Sequence, residues 1–167
     1  MRVAELIGAV LLGVTASSLT AADSRPDVSQ IITKSDAATL LGEPVRDPSP
    51  RNGDGTDGYY SKCNYYSAKR GKSLIIRLQI PGVKAINPQK ELELVANANG
   101  PVEKISGIGD AAEICTSGGE NGFESRVLML YVAKGSTFLT IGLGGFVDDA
   151  IALEKAKTVA QKLLEHL

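Results

Sequence analysis

Histidine is almost missing from this sequence: of 167 residues only His166 is one, a single place from the C-terminus. That position argues against any mechanism needing a buried, oriented imidazole, including Ser-His-Asp and Cys-His catalysis and multi-histidine metal sites. An excess of charge is missing too. Lys plus Arg number 18 against 19 Asp plus Glu, a net charge of −1, so there is no electrostatic footprint for nucleic acid or for an anionic membrane. Aromatic positions are scarce at 5%, beside 43% hydrophobic and 22% charged. That balance fits one ordinary soluble domain rather than a disordered, collagen-like or multi-domain chain.

A long apolar run occurs only at the start. After Arg2 comes Leu6-Ile7-Gly8-Ala9-Val10-Leu11-Leu12-Gly13-Val14, then small residues ending in Thr20-Ala21-Ala22. This is the short apolar core and small-residue cleavage pattern of a secretory signal peptide, expected over residues 1–22. Glu5 cancels Arg2, which weakens the pattern. A retained anchor is the competing reading, and the only route to a membrane. The stretch from Leu6 to Ala22 has 17 uncharged residues, and Thr15, Ser17, Ser18 and Thr20 make its second half polar, whereas a spanning helix needs ~20 apolar residues. No cysteine stands near the cleavage point to carry a lipid. Residues 23–167 are thus expected to form a single periplasmic or secreted domain.

The two cysteines, Cys63 and Cys115, are expected to pair in a disulfide in an oxidising compartment. Closing that loop would stabilise by on the order of 4 kcal/mol. No neighbouring His or Cys completes a metal site, and neither thiol has a base in sequence reach.

Residues 23–34 read as a polar, extended lead-in. Ser35 or Asp36 can cap a short helix through Leu41 that Gly42 stops. The stretch 43–58, with three prolines, three glycines and four acidic residues, reads as a long surface loop. Strand composition over 59–67 and the alternation of Leu74, Ile76, Leu78 and Ile80 over 73–80 predict an antiparallel hairpin. Asn87 caps a helix with Pro88 first and an end near Asn97. Val102–Ile105 and Ala111–Cys115 are short strand candidates, and after a Gly118-Gly119 loop the segments 126–133 and 137–143 make a second hairpin. The first of these is apolar on both alternating sets, so it belongs at the centre of a sheet covered on both sides, or under a long loop. The strongest helix runs from Asp149 to about Leu164 behind an Asp148 cap. Together these predict an α+β domain with a mainly antiparallel sheet of about five strands and helices packed against it.

Several stretches approach known motifs without meeting their requirements. Gly71-Lys72-Ser73 ends like a phosphate-binding loop, but Tyr66 stands where a glycine is needed and a strand follows. Gly107-Ile108-Gly109-Asp110-Ala111-Ala112 has dinucleotide-fingerprint spacing with no helix after it. Asn52 to Tyr59 resembles one calcium-binding repeat, with Asp54 and Asp57 as its weak candidate ligands, yet there is one copy, and a polar turn is the simpler reading. Adjacent carboxylates such as Asp148 and Asp149 suit a helix N-terminus better than acid–base chemistry. No catalytic residue and no cofactor are assigned.

The most specific local feature is aromatic. Four of five tyrosines fall at Tyr59, Tyr60, Tyr65 and Tyr66, around Cys63. On a strand with Cys63 inward, Tyr59 and Tyr65 share its face, and Tyr60, Lys62, Asn64 and Tyr66 line the other. A helix or the Pro/Gly loop covering that second face is the favoured expectation. Left open, the four residues form a candidate surface for a peptide or a sugar, with tyrosines about 20 Å apart.

Taken in order, Ile32 to Gly42, Cys63-Asn64-Tyr65, Ile105 to Ala112, a Val-x-x-Gly-Ser hairpin and an alanine-rich last helix resemble a diffuse group of small exported bacterial domains. These are periplasmic proteins, surface lipoproteins and extracellular sensor domains of unknown function. The resemblance implies an α+β domain, a disulfide near the Cys-x-Tyr and no established catalytic residues. The expectation is a non-enzymatic binding or interaction domain of the bacterial envelope, its partner an envelope protein, peptide or saccharide. The alternatives are a calcium-stabilised module and a carboxylate-dependent envelope enzyme.

Overall fold

The computed structural model describes residues 25–69, 71–99, 101–117 and 126–167. The expected signal peptide and the Gly118-Gly119 loop lie outside them. In chain order the elements are α1 (Val28–Ile31), α2 (Lys34–Leu41), β1 (Arg51–Gly55), β2 (Gly58–Tyr66), β3 (Ser73–Pro81), α3 (Pro88–Asn99), β4 (Glu103–Ile105), β5 (Ala111–Ser117), β6 (Val127–Lys134), β7 (Thr137–Gly144) and α4 (Asp149–Leu164). The strands form one antiparallel sheet in the order β1-β2-β3-β7-β6-β5-β4. The chain makes β1 to β3 by hairpins, crosses through α3, and returns from the far edge until β7 pairs with β3. The class is α+β as expected, with seven strands instead of about five.

Alternation sorts the side chains into two layers. On the first face Cys63, Leu74, Ile76, Leu78, Leu130 and Ile141 are fully buried, together with Ala152, Ala156, Val159, Ala160 and Leu163 of α4. The alanines of α4 let its backbone approach β6 and β7 closely. Beside it, α1 and α2 lie over β2 and β3. On the second face, α3 buries Leu92 against Cys115, Tyr131 and Phe138, the last two with ring centroids 6.3 Å apart. β6 is therefore covered by α4 on one side and α3 on the other, in agreement with its two apolar sets.

Three local expectations need correction. The lead-in is not extended throughout: α1 inserts Val28 into the core, and Ile32 just after it is buried there too. α2 starts earlier, at a Thr33 cap that forms a capping box with Asp36. The Thr33 hydroxyl and N–H both donate to the Asp36 carboxylate, at 2.7 and 2.8 Å, and Lys162 of α4 adds an ion pair at 3.0 Å. These partners, the Thr33 hydroxyl foremost, hold the Asp36 carboxyl down to about 2. Lastly, the Pro/Gly loop contains β1. Val45 bridges Ser67, and the Arg46 N–H donates to the Tyr66 carbonyl. Pro48 and Pro50 carry no N–H and interrupt this pairing, and the β1 ladder with β2 runs from Arg51 opposite Lys62.

The expected disulfide is overturned. No bond joins Cys63 and Cys115. Cys63 shares a register row with Ile76, Ile141, Leu130 and Ile114, and Cys115 lies in the next row, behind Met129, Gly142, Ile75 and Asn64. The two therefore point to opposite faces. They are also four strand spacings apart, roughly 19 Å, where a disulfide spans about 4.4–6.8 Å between Cα atoms. Burial pushes the Cys63 thiol up, which suits a packed residue rather than a nucleophile.

Candidate functional site

The odd and even side chains of β2 have different company. Inward, the strand straps down the lead-in: Tyr59 donates to the Pro26 carbonyl at 3.1 Å, Ser61 accepts from the Val28 N–H at 2.9 Å, and Tyr65 donates to the Ile32 carbonyl. Ser61 also donates to Asn52 of β1 at 2.7 Å. Tyr65 is fully buried, and that burial raises its phenol above the ordinary range.

Outward, Tyr60, Lys62, Asn64 and Tyr66 form the floor of one open groove, as the alternation implied. Its wall is Asp47, Ser49 and Arg51, and the space is about 410 Å³. Of the two coverings expected, the Pro/Gly loop reaches this face as the wall and α3 packs mainly on β5, β6 and β7; neither closes over it, and Tyr60 and Tyr66 stay 36% and 49% exposed. The Asn64 amide donates to the Tyr66 hydroxyl at 3.1 Å, and its other polar atom is buried without a hydrogen-bond partner. The Tyr60 ring leans over Gly53, its atoms 3.7–3.9 Å from where a Cβ would be.

Sequence reasoning missed the wall of this groove and a row of cations. Lys62 pairs in register with Arg51 on one side and Arg77 on the other, so three exposed cations lie side by side across three strands. None of them forms an ion pair among the described residues. Like charges directly opposite each other are unfavourable. The nearby Asp47 carboxylate is drawn to Lys34 at 2.5 Å, which lowers its pKa. Arg77 lines a smaller hollow of about 90 Å³ with Asp57 and Gln79 beyond Tyr60. The signal was present: a β2–β3 hairpin centred between Ser67 and Lys72 places Arg77 opposite Lys62.

The calcium candidates are not brought together as ligands. Asp54 points to the first face and pairs with Arg25, which also lies 5.3 Å from the Tyr59 ring, while Asp57 sits in the two-residue β1–β2 turn. The glycines there have a backbone role. Gly58 has φ of +122°, and a Cβ on it would come within 2.2 Å of the Ile80 carbonyl oxygen. Among the described residues no three His, Cys, Asp or Glu side chains gather at a metal-binding spacing. Asp148 caps α4, accepting from Ala150 and Ile151, and Asp149 pairs with Arg126, so both carboxylates are engaged at the helix start. No described helix is long and apolar enough to cross a membrane.

Comparison with protein-family models and with curated proteins gives no match. No activity is therefore carried over from a relative, and function rests on the geometry of the groove.

Proposed function

We propose that the chain is an exported, non-enzymatic binding domain of the bacterial envelope, and that the outward face of β2 is its ligand surface. The observation that carries this is the exposure of two tyrosines at the ends of one polar groove. A tyrosine gains most by burying its ring, so two partly exposed at the ends of one polar groove point to a ligand that covers them. Export is supported by the apolar run and small-residue pattern of residues 1–22.

The test is a screen of the mature chain (residues 23–167) against cell-wall fragments, a glycan array and a peptide array, beside the double variant Tyr60→Ser/Tyr66→Ser. A hit lost in the variant, while its melting temperature stays within about 2 °C of the parent, is the expected result. No hit in any set, or hits the variant keeps, overturns the assignment.

A further inference from the structure

We propose that the ligand of this face is a carboxylated saccharide, its carboxylates met by the row Arg51, Lys62 and Arg77. This deepens the ligand-face reading above and rests on it.

Charge is the first argument. Three cations stand in one register row across β1, β2 and β3 with no ion-pair partner among the described residues, and the acid at the groove's rim, Asp47, is engaged by Lys34. Neighbouring strands are ~4.8 Å apart, so the row presents positive charge at a close, regular spacing. In the unliganded protein these charges repel one another. A molecule with repeated carboxylates removes that repulsion on binding, and guanidinium groups hold carboxylates in bidentate pairs.

Strand pairing and the flanking groups favour a saccharide over an acidic peptide. Both edges of β2 are already paired, with β1 and with β3, so an extended peptide can add main-chain bonds only at the outer edge of β1, one strand away from Lys62 and the tyrosines. What flanks the cations is a ring on one side and neutral polar groups on the other. Tyr60 lies two residues from Lys62 on the same face of β2, leaning over Gly53, and offers a flat amphipathic surface. On the opposite side lie the Tyr66 hydroxyl, which accepts from the Asn64 amide, and the Ser49 hydroxyl of the same groove. A sugar ring presents an apolar flank to Tyr60 and hydroxyls to Tyr66 and Ser49, while its carboxylate reaches the cation row.

The experiment is isothermal titration of the mature chain with oligogalacturonate, neutral dextran oligomers and oligoglutamate, at low and at high salt. Oligogalacturonate is expected to bind, to weaken as salt screens the contact, and to lose at least tenfold in affinity in Arg51→Gln/Arg77→Gln. That variant should melt at the parent temperature or slightly higher, which keeps a folding defect from passing as a binding defect. Equal binding of dextran, preferential binding of oligoglutamate, or an undiminished affinity in the variant overturns the saccharide assignment and leaves the face standing. Absence of binding to all three also overturns it. The array screen then separates the two failures: hits that need Tyr60 and Tyr66 keep the face, and no hits remove both.

Discussion

Two tyrosines on one face of β2 and two on the other have opposite fates. Tyr59 and Tyr65 reach back to carbonyls of the lead-in and help close the core, while Tyr60 and Tyr66 stand partly exposed at the ends of an open groove. One strand, read with period two, thus separates structural side chains from available ones. The difference comes from coverage rather than from residue type. α1 and the lead-in lie on the first face, whereas α3 covers only the β5–β7 half of the second.

This contrast is open to attack from both sides, and the inward side should give the largest effects. Tyr65→Ala should destabilise by roughly 3–5 kcal/mol, as for other large buried aromatics. Tyr65→Phe should cost about 1–2 kcal/mol, because the Ile32 carbonyl loses its donor. Both are read from urea unfolding. Ser61→Ala comes next at about 1–2 kcal/mol, since it strips a partner from both the Val28 N–H and Asn52. A cost near zero for Ser61→Ala would mean that the lead-in is not held by this strand.

The Asp36 capping box is a smaller and pH-dependent term. Its carboxyl is held below its unfolded value of 3.8, to about 2. A depressed carboxyl stabilises above the unfolded value and loses that contribution as pH falls through the folded one. Asp36→Asn should therefore cost about 1 kcal/mol or less at neutral pH, because the side chain is 38% exposed. That difference should vanish between about pH 4 and 2 in paired unfolding curves. Smallest of all is Arg77→Gln, which relieves repulsion with Lys62 and should raise stability by a few tenths of a kcal/mol. A clear loss instead would show that Arg77 has a structural partner.

Much of this architecture was legible because periodicity and caps survive packing. The alternation of Leu74, Ile76 and Leu78, the two-faced apolar pattern of β6 and the alanine stripe of α4 each predicted their own surroundings. The division of the β2 tyrosines followed from the same period. What escaped the sequence depended on long-range order. Arg51-Asn52-Gly53-Asp54-Gly55 has turn composition and is a strand only because β2 offers it a partner. Val28–Ile31 is a single turn whose place is set by Ser61 and Tyr65. The Cys63–Cys115 disulfide failed for the same reason: no local pattern reveals that β3 pairs with β7, which puts three strands between the two cysteines and turns them to opposite faces. The groove wall was hidden in a segment that composition marked as loop, although the hairpin register alone would have placed Arg77 beside Lys62.

The central claim is that the outward face of β2 binds and does not hold the fold together. The most direct test compares the parent and Tyr60→Ser/Tyr66→Ser in urea unfolding and on the same ligand array. The account predicts a stability change within about 0.5 kcal/mol together with loss of the parent's ligand. A loss of about 2 kcal/mol or more, or a ligand profile that the double variant keeps intact, would contradict it.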